Sequence, residues 1–247
     1  MEPQVVLVTG ALTGIGRATA TTFARAGARV VVSGRRDDAG RSLVAELREL
    51  NAEADFVHAD VRLEEDVRNL VDQTAARFGQ LDVAVNNAGT LGTPGPLTEQ
   101  SAESYAAIFD TNVLGLVLSM KHELRVMQAQ RHGSIVNLSS IVGHKALPGD
   151  PLYVASKHAV EGLTKAAALE AAAFGVRVNA VAPGPIATEM LEQLAGDAGA
   201  RAALIATVPL GRPGTPDEVA RIIMLLASEQ ASFVTGAIVP VDGGQSA

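Results

Sequence analysis

Short apolar runs of strand length alternate with longer amphipathic stretches of helix length along almost the whole of this 247-residue chain. Because strands separated by helices cannot pair as hairpins, the pattern predicts parallel strands joined by right-handed helical crossovers. Such crossovers place helices on both faces of the sheet. We therefore expect an α/β fold with a doubly wound parallel sheet, in which ligands bind beyond the carboxyl ends of the strands.

The predicted elements follow one another without a linker, a repeat or a low-complexity tract, so residues 1–247 are expected to form a single domain. Strands are predicted at residues 5–8, 29–33, 54–59, 81–86, 134–138 and 176–181. Helices are predicted from residue 17 onward, at 38–50, at 64–78 and around residue 153, while 101–130 suits one long helix or two abutting helices. Gly10, Asn87, Ser140 and Pro183 each follow a predicted strand, so they should line one rim of the sheet.

The first predicted strand is followed by three glycines with the spacing G-x-x-x-G-x-G, at Gly10, Gly14 and Gly16. Glycines between a strand and a helix let the backbone turn tightly and approach a pyrophosphate, which the N-terminus of the helix attracts. An ordinary turn could also be built from such a cluster. The position between a strand and a helix favours phosphate binding.

Tyr153 and Lys157 stand four positions apart in a predicted helix, and Tyr153 is one of only two tyrosines. Since an α-helix has ~3.6 residues per turn, both side chains lean toward the same side. A cation beside a phenol favours the phenolate and brings the phenol pKa closer to working pH, which suits a general acid and base. Taken alone, the pair is also compatible with a solvated helix face.

Composition narrows the possible classes of function. Apolar residues make up 47% of the chain, yet no run approaches the ~20 apolar residues of a membrane span. The short segment before the first strand leaves no room for a signal peptide and cysteine is absent, so a cytoplasmic protein without disulfides is expected. The net charge of -7 disfavours nucleic acid and anionic membranes as partners, and the five histidines lack metal-ligand spacing, so no metal site is predicted.

The glycine cluster and the Tyr153–Lys157 pair together resemble the short-chain dehydrogenase/reductase family, in its compact single-domain branch, over essentially the whole chain. Further segments match motifs of that family in order and spacing. They are Asn86-Asn87-Ala88-Gly89, Thr111-Asn112-Val113-Leu114-Gly115, Ser139-Ser140, Pro183-Gly184-Pro185-Ile186 with Thr188, and the closing strand and turn at residues 239–244. The resemblance implies a Rossmann-type sheet and an NAD(P)-dependent oxidoreductase that interconverts a small ketone and its secondary alcohol by hydride transfer.

The resemblance also implies roles for four catalytic residues. Tyr153 exchanges a proton with the substrate oxygen, and Lys157 lowers the phenol pKa and bonds the nicotinamide ribose. Ser140 holds the substrate oxygen; it is chosen over Ser139 because it lies 13 positions before Tyr153, the separation found in the family. Asn112 holds a water next to Lys157 and completes a proton relay, although an Asn in an apolar helical stretch could equally mark a kink.

The residues expected to bind the dinucleotide are carried over from the family in the same way. They are Gly10, Thr13, Gly14, Ile15, Gly16, Gly34, Arg35, Asp60, Val61, Asn87, Ala88, Gly89, Tyr153, Lys157, Pro183, Gly184, Ile186 and Thr188. Asp60 and Val61 match the adenine contacts, with the carboxylate on the amino group and the apolar side chain beside the ring, although an Asp at a strand end is otherwise often a helix cap.

The end of the second strand bears on the choice between NADP and NAD. Gly34 stands where NAD-preferring relatives usually carry an acidic residue for the ribose 2′-hydroxyl, and the Arg35 guanidinium could form paired hydrogen bonds to a 2′-phosphate. NADP is therefore favoured over NAD. Against this, Thr13 stands where many NADP-using relatives place a basic side chain.

Several segments keep two interpretations. His144, Lys145 and Asp150 border the substrate or lie in an exposed loop, and exposure is favoured for His144. Residues 189–209 resemble the mobile helical flap that covers substrate in relatives, or form an ordinary surface helix. The resemblance implies a homotetramer in which the apolar segments 101–130 and 154–174 pair between copies; alternatively, their apolar excess is simply buried core. Residues 213–218 predict a helix start with Thr215 as its N-cap, without any chemistry.

Alternative functions are weighed against the ketone–alcohol oxidoreductase. A β-ketoacyl carrier-protein reductase-like enzyme is slightly disfavoured, because no basic cluster near the flap marks a carrier dock. A non-catalytic NADP-binding sensor or scaffold is less favoured, since such relatives typically lose the tyrosine or lysine that this chain keeps. A sugar-nucleotide epimerase or dehydratase usually has a longer C-terminal lobe and another glycine spacing. The substrate is expected to be a small carbonyl compound or secondary alcohol.

Overall fold

The computed structural model describes residues 3–247, which contain a seven-stranded sheet. Its strands are β1 (Val5–Thr9), β2 (Arg29–Gly34), β3 (Ala54–His58), β4 (Val83–Asn86), β5 (Gly133–Leu138), β6 (Val176–Pro183) and β7 (Ile238–Val241). They lie in the order β3-β2-β1-β4-β5-β6-β7, and each neighbouring pair is parallel. The predicted α/β fold with a doubly wound, Rossmann-type parallel sheet is confirmed.

The described residues form nine α-helices between and after these strands. They are α1 (Gly14–Arg25), α2 (Asp37–Glu49), α3 (Glu64–Phe78), α4 (Ala102–Phe109), α5 (Gly115–Gln130), α6 (Pro151–Ala171), α7 (Glu189–Ala195), α8 (Ala198–Ala206) and α9 (Pro216–Ala227). The bounds of α3 are those predicted, whereas α1 begins three residues earlier than predicted, at Gly14. Within residues 3–247, no helix has the length and apolar character needed to cross a bilayer.

The strand order reverses beside β1, and this reversal positions the site. β1 pairs with β2 on one side and with β4 on the other. The chain therefore runs outward from β1 through β2 to β3, and then returns to the opposite side at β4. Open α/β sheets leave a crevice beyond the carboxyl ends of the strands at such a switch point. Gly10 follows β1 and Asn87 follows β4, so both stand at this crevice.

Alternate residues of β1 pack into two separate hydrophobic layers. Val6 and Val8 belong to the layer that also holds Val30 of β2, whereas Leu7 packs on the opposite face with Val31. Because helices cover both faces, all three β1 side chains are completely buried and the strand needs no polar alternation. Burial of each such side chain stabilises the fold by about 1.5–3 kcal/mol.

The segment predicted as one long helix or two abutting helices is interrupted. α4 ends at Phe109, a π-helical turn spans Asp110–Leu114, and α5 begins at Gly115. Asn112 lies at the centre of this turn and is buried. The turn is the helix defect that an Asn in an apolar stretch indicates, and π-turns inside helices are frequent at functional sites.

The start of α9 is closed by a capping box at the predicted N-cap residue. The Oγ1 of Thr215 accepts a hydrogen bond of 3.2 Å from the backbone N–H of Glu218. In return, the Glu218 carboxylate accepts a 2.8 Å hydrogen bond from the backbone N–H of Thr215. Thr215 is therefore the N-cap, as predicted, and this reciprocal pair satisfies two N–H groups at the helix terminus.

Candidate active site

A cavity of about 490 Å³ lies beyond the carboxyl ends of the strands. The four residues predicted to share one rim, Gly10, Asn87, Ser140 and Pro183, all line it. Most of the other residues predicted to contact the dinucleotide also line it, namely Thr13, Gly14, Ile15, Gly34, Arg35, Asp60, Val61, Ala88, Gly89, Tyr153, Lys157, Gly184, Ile186 and Thr188. Gly16 and Asn112 are not part of this lining.

Close backbone approaches require glycine at the turn between β1 and α1. Gly10 has a φ of +60°, and a Cβ there would lie 2.8 Å from the Cα of Ala88. Gly14 has a φ of +53°, again in the region that favours glycine. A Cβ on Gly16 would lie 2.4 Å from the Nδ2 of Asn87, so this glycine permits tight packing behind the cavity. A wall of bare backbone at the N-terminus of α1 fits the pyrophosphate of a dinucleotide.

The turns after β1 and β4 are held together by hydrogen bonds. The Nδ2 of Asn87 donates to the carbonyl oxygens of Thr9, at 3.1 Å, and Gly10, at 2.8 Å. The Oγ1 of Thr9 accepts from the backbone N–H groups of Asn87, at 3.1 Å, and Ala88, at 3.3 Å. Because Thr9 is the last residue of a buried strand, its polar role was not predicted from the sequence. These hydrogen bonds hold the two turns in place, so the surface that faces the pyrophosphate is preformed.

At the other end of the cavity, Asp60 is engaged by an arginine that sequence reasoning missed. The Nε of Arg62 donates to the two carboxylate oxygens of Asp60 at 2.9 and 3.1 Å. This side-chain hydrogen bond holds the pKa of the Asp60 carboxyl below its ordinary value, with a smaller contribution in the same direction from the Arg35 charge. A basic residue two positions after a strand-end acid was the available signal. Any adenine amino group at Asp60 would share the carboxylate with Arg62.

Tyr153 and Lys157 lie on the first two turns of α6 and both line the cavity. The Nζ of Lys157 lies 5.6 Å from the Tyr153 ring centroid and donates a 2.8 Å hydrogen bond to the Leu138 carbonyl oxygen. The predicted helical pair is therefore directed into the site, and the solvated-face alternative does not describe it. Burial lowers the pKa of Lys157 to about 8.

The pKa of Tyr153 moves in the direction opposite to the one predicted. Burial raises the pKa of this phenol to about 12; a side-chain hydrogen bond with Ser140 opposes the rise, and the Asp150 charge adds to it. The prediction that Lys157 brings the phenol pKa toward working pH is thus wrong for the protein alone, because desolvation of the phenolate dominates. At neutral pH the phenol carries its proton.

The two adjacent serines at the end of β5 differ in what they contact. The Ser139 hydroxyl donates a 3.0 Å hydrogen bond to the buried Glu161 carboxylate. The Ser140 side chain lines the cavity beside Tyr153 and accepts a long hydrogen bond, 3.4 Å, from the backbone N–H of Val142. Ser140 is therefore the serine whose hydroxyl can turn toward a ligand near Tyr153.

The Asn112 side chain makes three hydrogen bonds within the protein. Its Oδ1 accepts a 2.8 Å hydrogen bond from the backbone N–H of Thr90, and its Nδ2 donates to the Thr90 carbonyl at 2.9 Å. A further hydrogen bond of 3.1 Å reaches the Ser156 hydroxyl. Asn112 and Lys157 both line a second cavity of about 10 Å³, roughly the size of one water. Both hydrogens of the Asn112 amide are engaged, so a water in this space would reach Asn112 through the second lone pair of its Oδ1. The water-holding role of Asn112 stays a prediction.

His144, Lys145 and Asp150, which kept two interpretations, follow Ser140 in the chain and differ in whether they line the cavity. His144 is exposed, as predicted, and its Nδ1 lies 2.9 Å from the Glu161 carboxylate. Lys145 and Asp150 line the main cavity, whereas His144 is absent from its lining. The Nζ of Lys145 donates a 2.6 Å hydrogen bond to the Gln245 carbonyl oxygen, which ties this loop to the C-terminal segment.

Two short helices cover the opposite side of the cavity. α7 and α8 occupy most of the segment predicted as a flap, and the Thr188 side chain caps α7. Met190, Leu191, Leu194 and Leu204 from this segment line the cavity. An apolar cover of this kind excludes water from the space around a reacting group.

Comparison with known sequences gives matches along nearly the whole chain. Residues 10–246 match a family model described as enoyl-(acyl carrier protein) reductase. The chain is 44% identical over 247 residues to the cis-4-hydroxycyclohexanecarboxylate dehydrogenase of Sinomonas cyclohexanicum, covering 99% of this chain and 97% of that protein. It is 41% identical to the cyclopentanol dehydrogenase of a Comamonas species, covering 100% and 98%. It is 40% identical to the 3-oxoacyl-[acyl-carrier-protein] reductase FabG of Thermotoga maritima, covering 99% and 98%.

Solved structures of similar proteins contain both forms of the nicotinamide dinucleotide. A structure titled ElxO with NADP bound matches with a TM-score of 0.92 and 36% identity, over 99% of both chains. A structure of NAD+-bound xylitol dehydrogenase matches with a TM-score of 0.94 and 33% identity, over 98% of both chains. The NADP-bound and the NAD+-bound structures are therefore about equally similar to this chain.

Proposed function

The chain belongs to the short-chain dehydrogenase/reductase family, and from this premise we propose that it interconverts a small alicyclic ketone and its secondary alcohol. It is an NAD(P)-dependent oxidoreductase, like the cyclic alcohol dehydrogenases to which it is similar over its whole length. One observation carries the proposal: Ser140, Tyr153 and Lys157 line the same cavity as the glycine turn that fits a pyrophosphate.

The shape and chemistry of the cavity support a compact, mostly apolar substrate. Leu147, Met190 and Leu194 contribute apolar side chains to its lining. The dinucleotide and the substrate share its volume of about 490 Å³. Small-molecule sites are generally apolar with a few polar groups that fix orientation. A saturated five- or six-membered ring that carries one oxygen meets this description.

In the reaction, Tyr153 is the proton donor for ketone reduction and the proton acceptor for alcohol oxidation. The half-buried phenol, with a pKa raised to about 12, holds a proton ready for a carbonyl oxygen at neutral pH. The Lys157 ammonium, 5.6 Å from the phenol ring centroid, stabilises the phenolate that remains. The Ser140 hydroxyl donates a hydrogen bond to the same substrate oxygen. When bound, the nicotinamide supplies or removes the hydride.

The dinucleotide is held by backbone as much as by side chains. Gly10, Gly14 and Ile15 provide close backbone approach and free N–H groups at the N-terminus of α1 for the pyrophosphate. Asn87 and Thr9 hold the facing turn in position and so keep the space beside Gly10 open. These residues bind and orient the cofactor without taking part in proton transfer.

NADP is the proposed preferred form. Gly34 brings no carboxylate to the end of β2, and a side chain there would collide with Leu12, whose Cδ1 lies 2.7 Å from the position of a Cβ. The exposed Arg35 lines the cavity beside it. A guanidinium at this position attracts a 2′-phosphate, and the residue before it contributes no carboxylate to repel one.

A β-ketoacyl carrier-protein reductase is the second candidate, because the similarity to FabG is nearly as extensive as that to the cyclic alcohol dehydrogenases. A carrier protein presents an acidic surface and would need exposed basic residues at the cavity mouth. Arg201 lies on α8, the helix that contributes Leu204 to the cavity lining, but its Nε donates a 3.0 Å hydrogen bond to the Glu192 carboxylate. This pairing weakens the case for a carrier dock.

The experiment is a substrate panel followed by the absorbance of the reduced cofactor. Cyclopentanol, cyclohexanol and cyclohexanone are assayed against acetoacetyl carrier protein and a linear ketone, each with NADP(H) and NAD(H). We expect the alicyclic compounds to give the highest kcat/KM. Turnover restricted to the carrier-bound substrate would favour the second candidate. Binding of dinucleotide without turnover of any member would indicate the sensor or scaffold alternative.

We also propose that the single domain assembles as a homotetramer. Leu169 on α6 is 82% exposed and Phe233, shortly before β7, is fully exposed. Val117 adds exposed apolar surface on α5. Large apolar side chains left in water on the long helices and near the last strand suit two isologous contacts with further copies. Light scattering that gives the mass of a monomer at micromolar concentration would refute this assembly.

A further inference from the structure

Asp150 is a buried carboxylate that faces the active-site cavity without a partner. It is 8% exposed and lines the cavity. It is the N-cap residue of α6, yet its side chain makes no capping hydrogen bond. Among residues 3–247, its carboxylate forms no hydrogen bond or ion pair within the usual distances; only its backbone carbonyl is used, by Val154. Helix capping therefore does not explain an acid at this position.

The position of Asp150 brings its charge close to the reacting end of the cavity. Asp150 is the N-cap of α6, and Tyr153 lies in the first turn of the same helix. Both side chains line the cavity, and the negative charge of Asp150 is one of the causes of the raised Tyr153 pKa. A substrate whose oxygen reaches Tyr153 therefore also meets the charge of Asp150.

Within residues 3–247, no side chain donates a hydrogen bond to the Asp150 carboxylate. The lining of the cavity includes apolar side chains such as Val142, Leu147 and Leu194. Lys145, a cation of the same loop, already donates to the Gln245 carbonyl oxygen. A buried carboxylate without a donor is costly, and burial raises the pKa of Asp150. A donor supplied by a ligand would offset this cost.

We propose that Asp150 is a specificity-determining residue that accepts a hydrogen bond from a second hydroxyl group on the ring of the substrate. The enzyme would then prefer cyclic diols, and the hydroxyketones formed from them, to cyclic alcohols with a single oxygen. This inference rests on the proposed alicyclic alcohol dehydrogenase function and names the substrate class of the same site. A ring carboxylate near Asp150 is disfavoured by repulsion, and an ammonium is disfavoured by the buried Lys157 cation in the same cavity.

The test compares cyclohexane-1,2-diol and cyclohexane-1,4-diol with cyclohexanol in the wild type and in two variants. Asp150→Ala removes the acceptor, and Asp150→Asn keeps the shape and one neutral acceptor oxygen. A hydrogen bond to a charged group that is lost in the variant predicts a decrease of about 10–100-fold in kcat/KM for the preferred diol in Asp150→Ala. The ratio of kcat/KM for the diol to kcat/KM for cyclohexanol should therefore fall by about 10-fold or more, because any change at Tyr153 acts on both substrates equally. Asp150→Asn should lose less than Asp150→Ala.

Glu170→Gln is the matched control, because Glu170 is exposed on the same helix and the change removes the same charge. It should leave the preference for diols unchanged. Equal kcat/KM for diol and cyclohexanol in the wild type, or an equal loss for both in Asp150→Ala, would overturn the inference. A higher kcat/KM for 2-aminocyclohexanol than for either diol would also overturn it. If Asp150→Ala does not fold by circular dichroism, Asp150→Asn carries the comparison.

The experiment distinguishes failure of the proposed alicyclic dehydrogenase function from failure of the inference about Asp150. If the wild type oxidises none of these alcohols, the alicyclic dehydrogenase function is refuted, and calorimetric titration of the diols into the protein with NADP still tests Asp150. Diol binding that weakens at least tenfold in Asp150→Ala and not in Glu170→Gln supports the inference. Diol binding that is absent, or equal in all three proteins, overturns it.

Discussion

The Nδ2 of Asn112 donates a 3.1 Å hydrogen bond to the Ser156 hydroxyl, which joins the π-helical turn to the helix that carries Tyr153 and Lys157. Ser156 in turn donates a 2.8 Å hydrogen bond to the carbonyl oxygen of Tyr153. Both Asn112 and Ser156 are buried. Asn112 is therefore best understood as a residue that positions α6 against the turn after β4, through Thr90 and Ser156 together.

Replacing Asn112 with Ala should lower the free energy of unfolding by about 2 kcal/mol or more, because buried partners lose hydrogen bonds. The backbone groups of Thr90 and the Ser156 hydroxyl would be affected together. Urea unfolding followed by circular dichroism measures the change. Asn69→Ala, on the exposed face of α3, is the control and should change the unfolding free energy by less than about 0.5 kcal/mol. Equal values for the two variants would contradict the positioning role.

Replacing Tyr153 with Phe should lower kcat by about 100-fold to 10,000-fold, since the change removes the proton-transferring hydroxyl and keeps the ring. The affinity for NADP, measured by fluorescence titration, should change by less than about threefold, because phosphate binding depends on the glycine turn. Tyr105→Phe is the control; Tyr105 is exposed on α4 and should tolerate the loss of its hydroxyl. A Tyr153→Phe enzyme with near-normal turnover would remove this residue from the mechanism.

Replacing Arg35 with Ala should lower kcat/KM for NADP by about 10–100-fold, the loss expected when a charge-assisted hydrogen bond to a phosphate is removed. The value for NAD should stay nearly constant because NAD lacks the 2′-phosphate. Arg41→Ala is the control, since Arg41 pairs with Asp38 on the exposed side of α2. If Arg35→Ala lowered both values equally, the guanidinium would have no role in choosing between the cofactors.

The buried Glu123 carboxyl group should make the free energy of unfolding depend on pH. It is completely buried on α5, its Oε2 accepts a 2.9 Å hydrogen bond from Asn86, and burial raises its pKa to about 7. Because this folded-state pKa lies above the unfolded value of about 4.3, the folded protein binds the proton more tightly. The contribution of Glu123 to stability is thus fully present below about pH 4 and is lost as the pH rises to about 7.

Glu123→Gln keeps a neutral group at this position at every pH, so it should become stabilising relative to the wild type as the pH rises from 4 to 8. The difference above pH 7 should reach on the order of 1–3 kcal/mol, and it should be smallest near pH 4. Unfolding free energies measured at several pH values test the trend. A difference that is independent of pH would mean that Glu123 does not hold its proton on folding.

Replacing Gly10 and Gly162 with alanine should change the stability of the protein in opposite directions. Gly10→Ala should destabilise the protein by more than about 1 kcal/mol and weaken dinucleotide binding, because its φ is +60° and the Ala88 backbone lies in the way. Gly162, exposed within α6, has nothing within 4 Å of a Cβ, so Gly162→Ala should stabilise by about 0.5–1 kcal/mol. Melting temperatures and NADP titrations of both variants measure these changes in stability and in dinucleotide binding. Similar effects at the two positions would show that backbone strain is not the cause.

The local features of the site could be predicted from the sequence because they depend on neighbours in the chain. The apolar run at residues 5–8 indicated a strand buried on both faces, and the glycines at 10, 14 and 16 indicated the turn that follows it. The four-residue spacing of Tyr153 and Lys157 placed both on one side of a helix, and Thr215 indicated the N-cap of another. Alternation of such elements was enough to predict the parallel sheet and the rim at which its ligands bind.

Burial, and everything that follows from burial, was decided only by the tertiary structure. The high pKa of Tyr153, the low pKa of Lys157 and the unpaired Asp150 carboxylate all depend on which distant segments cover α6. The three hydrogen bonds of Asn112 likewise join atoms from segments 22 and 44 residues away. Desolvation acts on a group through all of its spatial neighbours at once, and the linear order of residues does not state which those neighbours are.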